Sequence, residues 1–172
     1  MPPGYRAEWT ALAAKPRPAP GDQIISALVF RIAGEALALP CRVCREVTQP
    51  QTIHSIPFRR DGFILGLANL RGELVICVSL EHLLGIPAAP KADASGHYKR
   101  LVVIQSDGAR FAFPAADVEG LRHCSEHEMR RAPETVAKSA VHYVKSLFTH
   151  GDRTVGLLDY ELLFYTLGKG LS

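Results

Sequence analysis

The chain has 172 residues, enough for one domain or for two small subdomains that share an interface. Apolar residues make up 47% and charged residues 22%, the proportions of a globular protein with an ample core. The formal charge is only +3, and no basic run exceeds two residues, so the sequence carries no electrostatic footprint for nucleic acid. No apolar run approaches the roughly 18 residues of a membrane span, which argues against direct membrane insertion.

The start, Met1-Pro2-Pro3-Gly4, lacks the charged-then-apolar pattern of a secretory signal, so a cytoplasmic location is expected. There the four cysteines, Cys41, Cys44, Cys77 and Cys124, are expected as free thiols. Cys41-x-x-Cys44 has no second pair to complete a zinc site and no long helical pattern after it to make a redox motif. His123-Cys124-x-x-His127 lies in a charged segment that reads as a turn. No metal and no cofactor is expected.

Residues 1–22 read as a separate arm. Five of the twelve prolines fall in the first twenty positions. Tyr5 to Ala14 fits one short helix, with Tyr5, Trp9 and Leu12 on one face, and Lys15 to Pro20 reads as an extended tether. Such an arm either packs the chain's only tryptophan on the body or docks a partner.

From Ile24 the pattern becomes that of short strands. Ala27–Ile32 and Ala36–Pro40 form a hairpin around Ala33-Gly34-Glu35. Val43 and Val47 bracket the polar step Cys44-Arg45-Glu46. Pro50 and Pro57 keep residues 48–58 out of helices. Phe63–Leu67 and Leu74–Val78 are two further strands around Asn69-Leu70-Arg71-Gly72, where Gly72 can take the positive φ of a tight turn. Arg71, flanked by apolar residues, must reach water or find an acid, because an unpaired buried guanidinium costs several kcal/mol. Ile86 to Gly96 reads as a loop, and a second hairpin follows, Leu101–Ile104 and Arg110–Pro114 around Asp107-Gly108.

The second half repeats the first. Gly34–Pro40 lies on Gly108–Pro114 at an offset of 74, which puts Val43 on Asp117 and Val47 on Leu121. Val75–Glu81 lies on Val155–Glu161 at an offset of 80. Both copies are expected to end in a leucine-rich turn and a glycine, Leu84-Gly85 and Leu167-Gly168. Each copy is too small for a confident core of its own, so two small β-barrels sharing an interface are expected, with few and short helices.

Gly66-Leu67-Ala68-Asn69-Leu70-Arg71-Gly72-Glu73, with Arg45-Glu46-Val47, the proline-rich bend and the closing Leu-Leu-Gly, resembles the CheW-like family of chemotaxis coupling proteins. The resemblance covers Ile24 to Gly168. It implies an all-β fold of two packed SH3-like five-stranded barrels within residues 23–170, the first over about 26–86 and the second over about 98–168, with room for strands to be exchanged between them. It implies a non-catalytic adaptor that couples the cytoplasmic tip of a methyl-accepting chemoreceptor to the regulatory domain of a CheA-type histidine kinase, recruited to membrane arrays alongside other CheW-like proteins. Arg71 then matches the receptor-binding arginine, and Glu46 matches the acid that pairs with it. Cys44 and Gly66 match neighbours on the receptor-facing surface. Leu67, Leu70 and Val47 are the expected first-barrel lining of a groove between the barrels. One departure is Ser79, where the family often has Asp and where the second copy keeps Asp159. The arm, with Tyr5, Trp9 and Leu12 as a docking face, points to an auxiliary member serving a dedicated chemosensory pathway such as surface sensing.

Two other classes compete. A small barrel that binds nucleic acid would need exposed aromatics beside basic residues, and Arg59-Arg60 between Phe58 and Phe63 is the single hint of that. An enzyme would need a nucleophile, for which Cys41 is the one candidate.

Overall fold

A computed structural model of the chain describes residues 23–57, 62–87, 98–132 and 142–171. The arm with Tyr5, Trp9 and Leu12, and the segment Phe58-Arg59-Arg60, lie outside the described residues. The first half contains β1 (Ile24–Ile32), β2 (Glu35–Pro40), a 3-10 turn (Cys41–Val43), β3 (Cys44–Thr48), β4 (Ile53–His54), β5 (Ile64–Leu70), β6 (Glu73–Val78) and α1 (Leu80–Leu83). The second half repeats the order with β7 (Arg100–Ser106), β8 (Ala109–Ala115), β9 (Asp117–Ser125), β10 (Arg130–Arg131), β11 (Val144–His150), β12 (Arg153–Leu158) and α2 (Tyr160–Gly170).

Two expectations are corrected. His123 and Cys124 belong to β9, a nine-residue strand, and not to a turn. That strand reads as polar because one face is wet: Cys124 is buried while Leu121 and His123 are exposed. The second closing turn is an eleven-residue helix that runs through Gly168. Gly85, by contrast, takes φ 63 just after the four-residue α1. Asp159 and Ser79 start the two helices in the same way. The Asp159 carboxylate accepts from the Leu162 N–H at 3.2 Å, and the Ser79 hydroxyl accepts from the His82 N–H at 3.1 Å. Ser and Asp are interchangeable as N-caps, so the departure at Ser79 preserves the local structure.

The strands form two sheets of identical design. One runs β10-β11-β12-β2-β1-β9 and the other β4-β5-β6-β8-β7-β3. Each half therefore lends its opening hairpin to the other half's sheet, through parallel pairing of β2 with β12 and of β8 with β6. Each sheet has five long strands and one two-residue edge strand. The two edge strands of each sheet are consecutive in sequence, separated only by residues 49–52 or 126–129. A flat sheet of six strands would place its edges ~24 Å apart, too far for four residues partly coiled in a turn, so each sheet closes into a five-stranded SH3-like barrel.

Exchange explains why the hairpin sequences are apolar on both faces. Along β1, Ala27 and Val29 face the inside of their barrel, while Leu28, Phe30 and Ile32 face a central layer between the barrels. In β8, Ala112 faces its barrel while Phe111 and Phe113 face the central layer. Ala38, Leu37 and Leu39 of β2 divide in the same way, as the offset of 74 requires. Phe30 and Phe113 meet in the central layer with ring centroids 5.0 Å apart, tilted by 52°. Leu163 and Leu167 of α2 are buried in the same layer.

Candidate functional site

The Asn69–Gly72 segment turns β5 into β6. Leu70 and Glu73 are the last pair of the ladder, so Arg71 and Gly72 form a two-residue loop. Their φ values, 53 and 85, are both positive, as in a type I′ hairpin turn. Gly72 adopts this at no steric cost, whereas Arg71 pays for it. The Asn69 side chain accepts the Gly72 N–H at 2.8 Å and braces the loop.

Glu46 stands on β3, at the opposite edge of the sheet in ladder order. In a flat sheet the two would lie three to four strand spacings apart, ~15–19 Å. Closure of the barrel brings Arg71 Nη2 to 3.0 Å from Glu46 Oε2. The arginine side chain remains 83% exposed while the carboxylate is mostly covered. Arg71 thus reaches both water and an acid. The penalty of a buried guanidinium, expected from its apolar flanks, does not arise. An exposed pair of this kind contributes under about 1 kcal/mol. Its effect is positional: it pins one arm of the guanidinium fork and leaves other N–H groups directed to solvent.

Beside the turn, the apolar central layer reaches the surface. Along the outer face of β6, Val78 is buried, Ile76 is half-buried and Leu74 is 68% exposed. Leu67 lies opposite Ile76, and Asn69 lies opposite Leu74. Val47, next to Glu46, is 39% exposed. Leu65 and Leu74, missed in the sequence, extend this surface. Their signal is alternation from Leu67 and Asn69, two residues at a time along paired strands.

Leu70 and Gly66 sit elsewhere. Leu70 points into the barrel and packs with Ala68, Val75 and Leu101, so it lines the core and not a groove. Gly66 is buried at φ 147 under β4, where a Cβ would collide with the His54 carbonyl oxygen. Its requirement is close backbone approach. Cys44 is half-buried, with its thiol 3.6 Å from the Pro40 carbonyl oxygen. Burial, reinforced by neighbouring Cys41, pushes the Cys44 thiol up to about 12. Burial raises Cys41 as well, which runs against a thiolate nucleophile there. Among the described residues no three His, Cys, Asp or Glu side chains come together as metal ligands.

The CheW-like domain family profile matches residues 26–167. The chain belongs to the CheW-like family. A solved structure, the scaffolding protein TtCheW from Thermoanaerobacter tengcongensis, shares the fold. It is 21% identical, with a TM-score of 0.66 over 80% of this chain and 90% of its own. No curated protein sequence matches. Among the described residues no helix of this CheW-like protein is long and apolar enough to cross a membrane.

Proposed function

We propose that this protein is a non-catalytic adaptor of a bacterial chemosensory array. It couples the cytoplasmic tip of a methyl-accepting chemoreceptor to the regulatory domain of a CheA-type histidine kinase. The protein acts in the cytoplasm at receptor clusters, as an auxiliary coupler of a dedicated pathway. Family membership supports the class. The observation that carries the receptor-docking assignment is Arg71: an exposed guanidinium, held by Glu46 at 3.0 Å, on a turn braced by Asn69, with Val47 next to Glu46 and Leu74 on the following strand both exposed. A receptor tip is a helical hairpin. A helix docks through apolar anchors in a groove, and a planar fork at the rim fits a carboxylate or a free carbonyl on it.

Arg71→Glu tests this. Two carboxylates then face each other at an exposed site, for a stability loss of about 1 kcal/mol at most. Co-sedimentation with receptor-bearing membranes and kinase should fall by at least about tenfold, equivalent to about 1.4 kcal/mol of binding. A folded variant that co-sediments like the wild type removes Arg71 from the docking surface.

A further inference from the structure

The two barrels differ at one end. In the first sheet, β1 begins, β2 ends, β9 ends, β11 begins and β12 ends at the same end of the barrel. There Met129 packs against the barrel core, and beside it the described residues leave a mouth, a cavity of about 640 Å³ that reaches from Ile24 and Ile25 past Ser146 to Leu157 and is rimmed by Arg42, Arg130, Arg131 and Glu161. Ile24 at its rim is 51% exposed. Barrel mouths of this size, partly apolar and partly polar, are common seats for a ligand or a side chain.

The matching mouth of the other barrel is plugged. Tyr98, 74 residues after Ile24 and just ahead of β7, packs its ring against the core of that barrel. Its hydroxyl donates to the Gln51 carbonyl oxygen at 2.8 Å and accepts from the Gln51 N–H at 3.2 Å. The plug is thus tied to the link between the barrel's two edge strands. One aromatic residue, delivered by the chain just before it enters the first strand of the hairpin, closes that barrel.

We propose that the open mouth is the seat of this chain's own N-terminal segment, with Trp9 as the plug, flanked by Tyr5 and Leu12. Three observations on the chain converge on this occupant. The segment enters the fold at Gln23, which itself lines the cavity. It carries the chain's only tryptophan and an apolar stripe, Tyr5, Trp9 and Leu12, that nothing in the receptor-docking surface uses. The eleven residue steps from Leu12 to Gln23 can span up to ~36 Å, several times the width of a small barrel mouth, so the tether permits a return. Attachment also supplies an effective concentration of order mM, so even a weak seat is filled. The inference stands independently of the coupling function.

Because Trp9 is the only tryptophan, fluorescence of the full-length protein excited selectively at the indole reads the segment alone. The expected result is emission to the blue of a synthetic peptide of residues 1–22, with acrylamide quenching about threefold weaker, as for an indole packed in an apolar site. Ser146→Arg fills the mouth and should move both readings to those of the peptide, with the sheet signal in circular dichroism unchanged. If that variant fails to fold, Ile24→Glu at the rim serves the same purpose. Wild-type emission and quenching equal to those of the free peptide overturn the proposal. So does protection of Trp9 that arises only when receptor or kinase is added, which would make the segment a partner-docking arm. Protection that varies with protein concentration would assign the seat to a second copy and overturns it equally.

Discussion

Glu46 and Gly120 occupy the same place in their two barrels. Glu46 pairs with Val103 across the ladder, and Gly120 pairs with Val29, each beside a bulge and each followed by an exposed apolar residue, Val47 or Leu121. Arg71 and Gly151 correspond as well, both at the first position of the turn after the inner strand, with φ values of 53 and 62. The backbone is therefore shared, and the ion pair of one barrel is replaced by two glycines in the other. At neither glycine would an added Cβ meet a neighbour. The second barrel closes with a different set of charges: Glu119 lies 3.1 Å from Arg153 and 3.8 Å from His150. The second barrel thus bridges with an arginine at the start of β12, two residues beyond the position that matches Arg71. Arg71 takes a conformation that glycine adopts more cheaply, as Ala33 and Asp107 do at the first position of the turns in the two opening hairpins, so the φ value alone assigns its side chain no role.

The strongest test of this comparison is whether the two barrels are one folding unit. Exchange of hairpins places Phe113 of β8 in the central layer against Phe30 of β1. Phe113→Ala should cost about 3–5 kcal/mol through lost burial and the cavity left behind. Urea unfolding should remain a single transition, coincident by sheet dichroism and by tyrosine fluorescence at an excitation shared with Trp9. Two separated transitions would show that the barrels hold together independently of the layer between them.

The same comparison shows what the sequence reveals. The repeat is legible because Leu37, Ala38 and Leu39 and their counterparts Phe111, Ala112 and Phe113 keep the same large-small-large pattern. That pattern is now seen to divide between central layer and barrel core. The Glu46–Arg71 pair is legible through family resemblance, and the tight turn through Gly72. The inward parity of β5 is not legible, because apolar residues occupy nearly every position. Only the ladder places Leu70 inside and Leu67 outside. Hairpin exchange is open to expectation only through the resemblance, since a sequence offset does not say which half a hairpin pairs with. Gly66 reads as a surface neighbour of the motif, but its need is steric and comes from β4, twelve residues upstream of it at His54.

Arg71→Gly sharpens the contrast by making the first turn like the second. It removes the strain of a left-handed non-glycine residue, worth about 1–2 kcal/mol, and loses an exposed ion pair worth under about 1 kcal/mol. Glycine also adds freedom to the unfolded chain, a cost of about 0.5–1 kcal/mol. The net change in the urea midpoint should be within about 1 kcal/mol of zero, while receptor co-sedimentation falls as it does for Arg71→Glu. A clearly destabilised variant would mean that the pair supports the barrel. A stable variant that still binds would mean that the side chain has no part in docking.

The smallest expected effect lies at Asp117, which stands where the first copy has buried Val43. Its carboxylate accepts the Val118 N–H at 2.9 Å and lies 3.2 Å from Arg31 and 4.0 Å from Lys99. The backbone hydrogen bond first, and the two cations after it, hold its pKa below the usual carboxylate range. The folded state therefore resists protonation more than the unfolded chain does. The resulting stability is present above the ordinary carboxylate value of about 3.9 and is lost as pH falls through the lower folded value. The carboxylate is half-buried, with its side chain 35% exposed, and solvent screening keeps the contribution to a fraction of about 1 kcal/mol. Asp117→Asn should flatten the fall in urea midpoint between about pH 4 and pH 2 and leave receptor co-sedimentation at neutral pH unchanged. Val43, without charge, gives the first copy no such dependence. An acid limb identical in wild type and variant would show that the second barrel draws no acid-sensitive stability from Asp117.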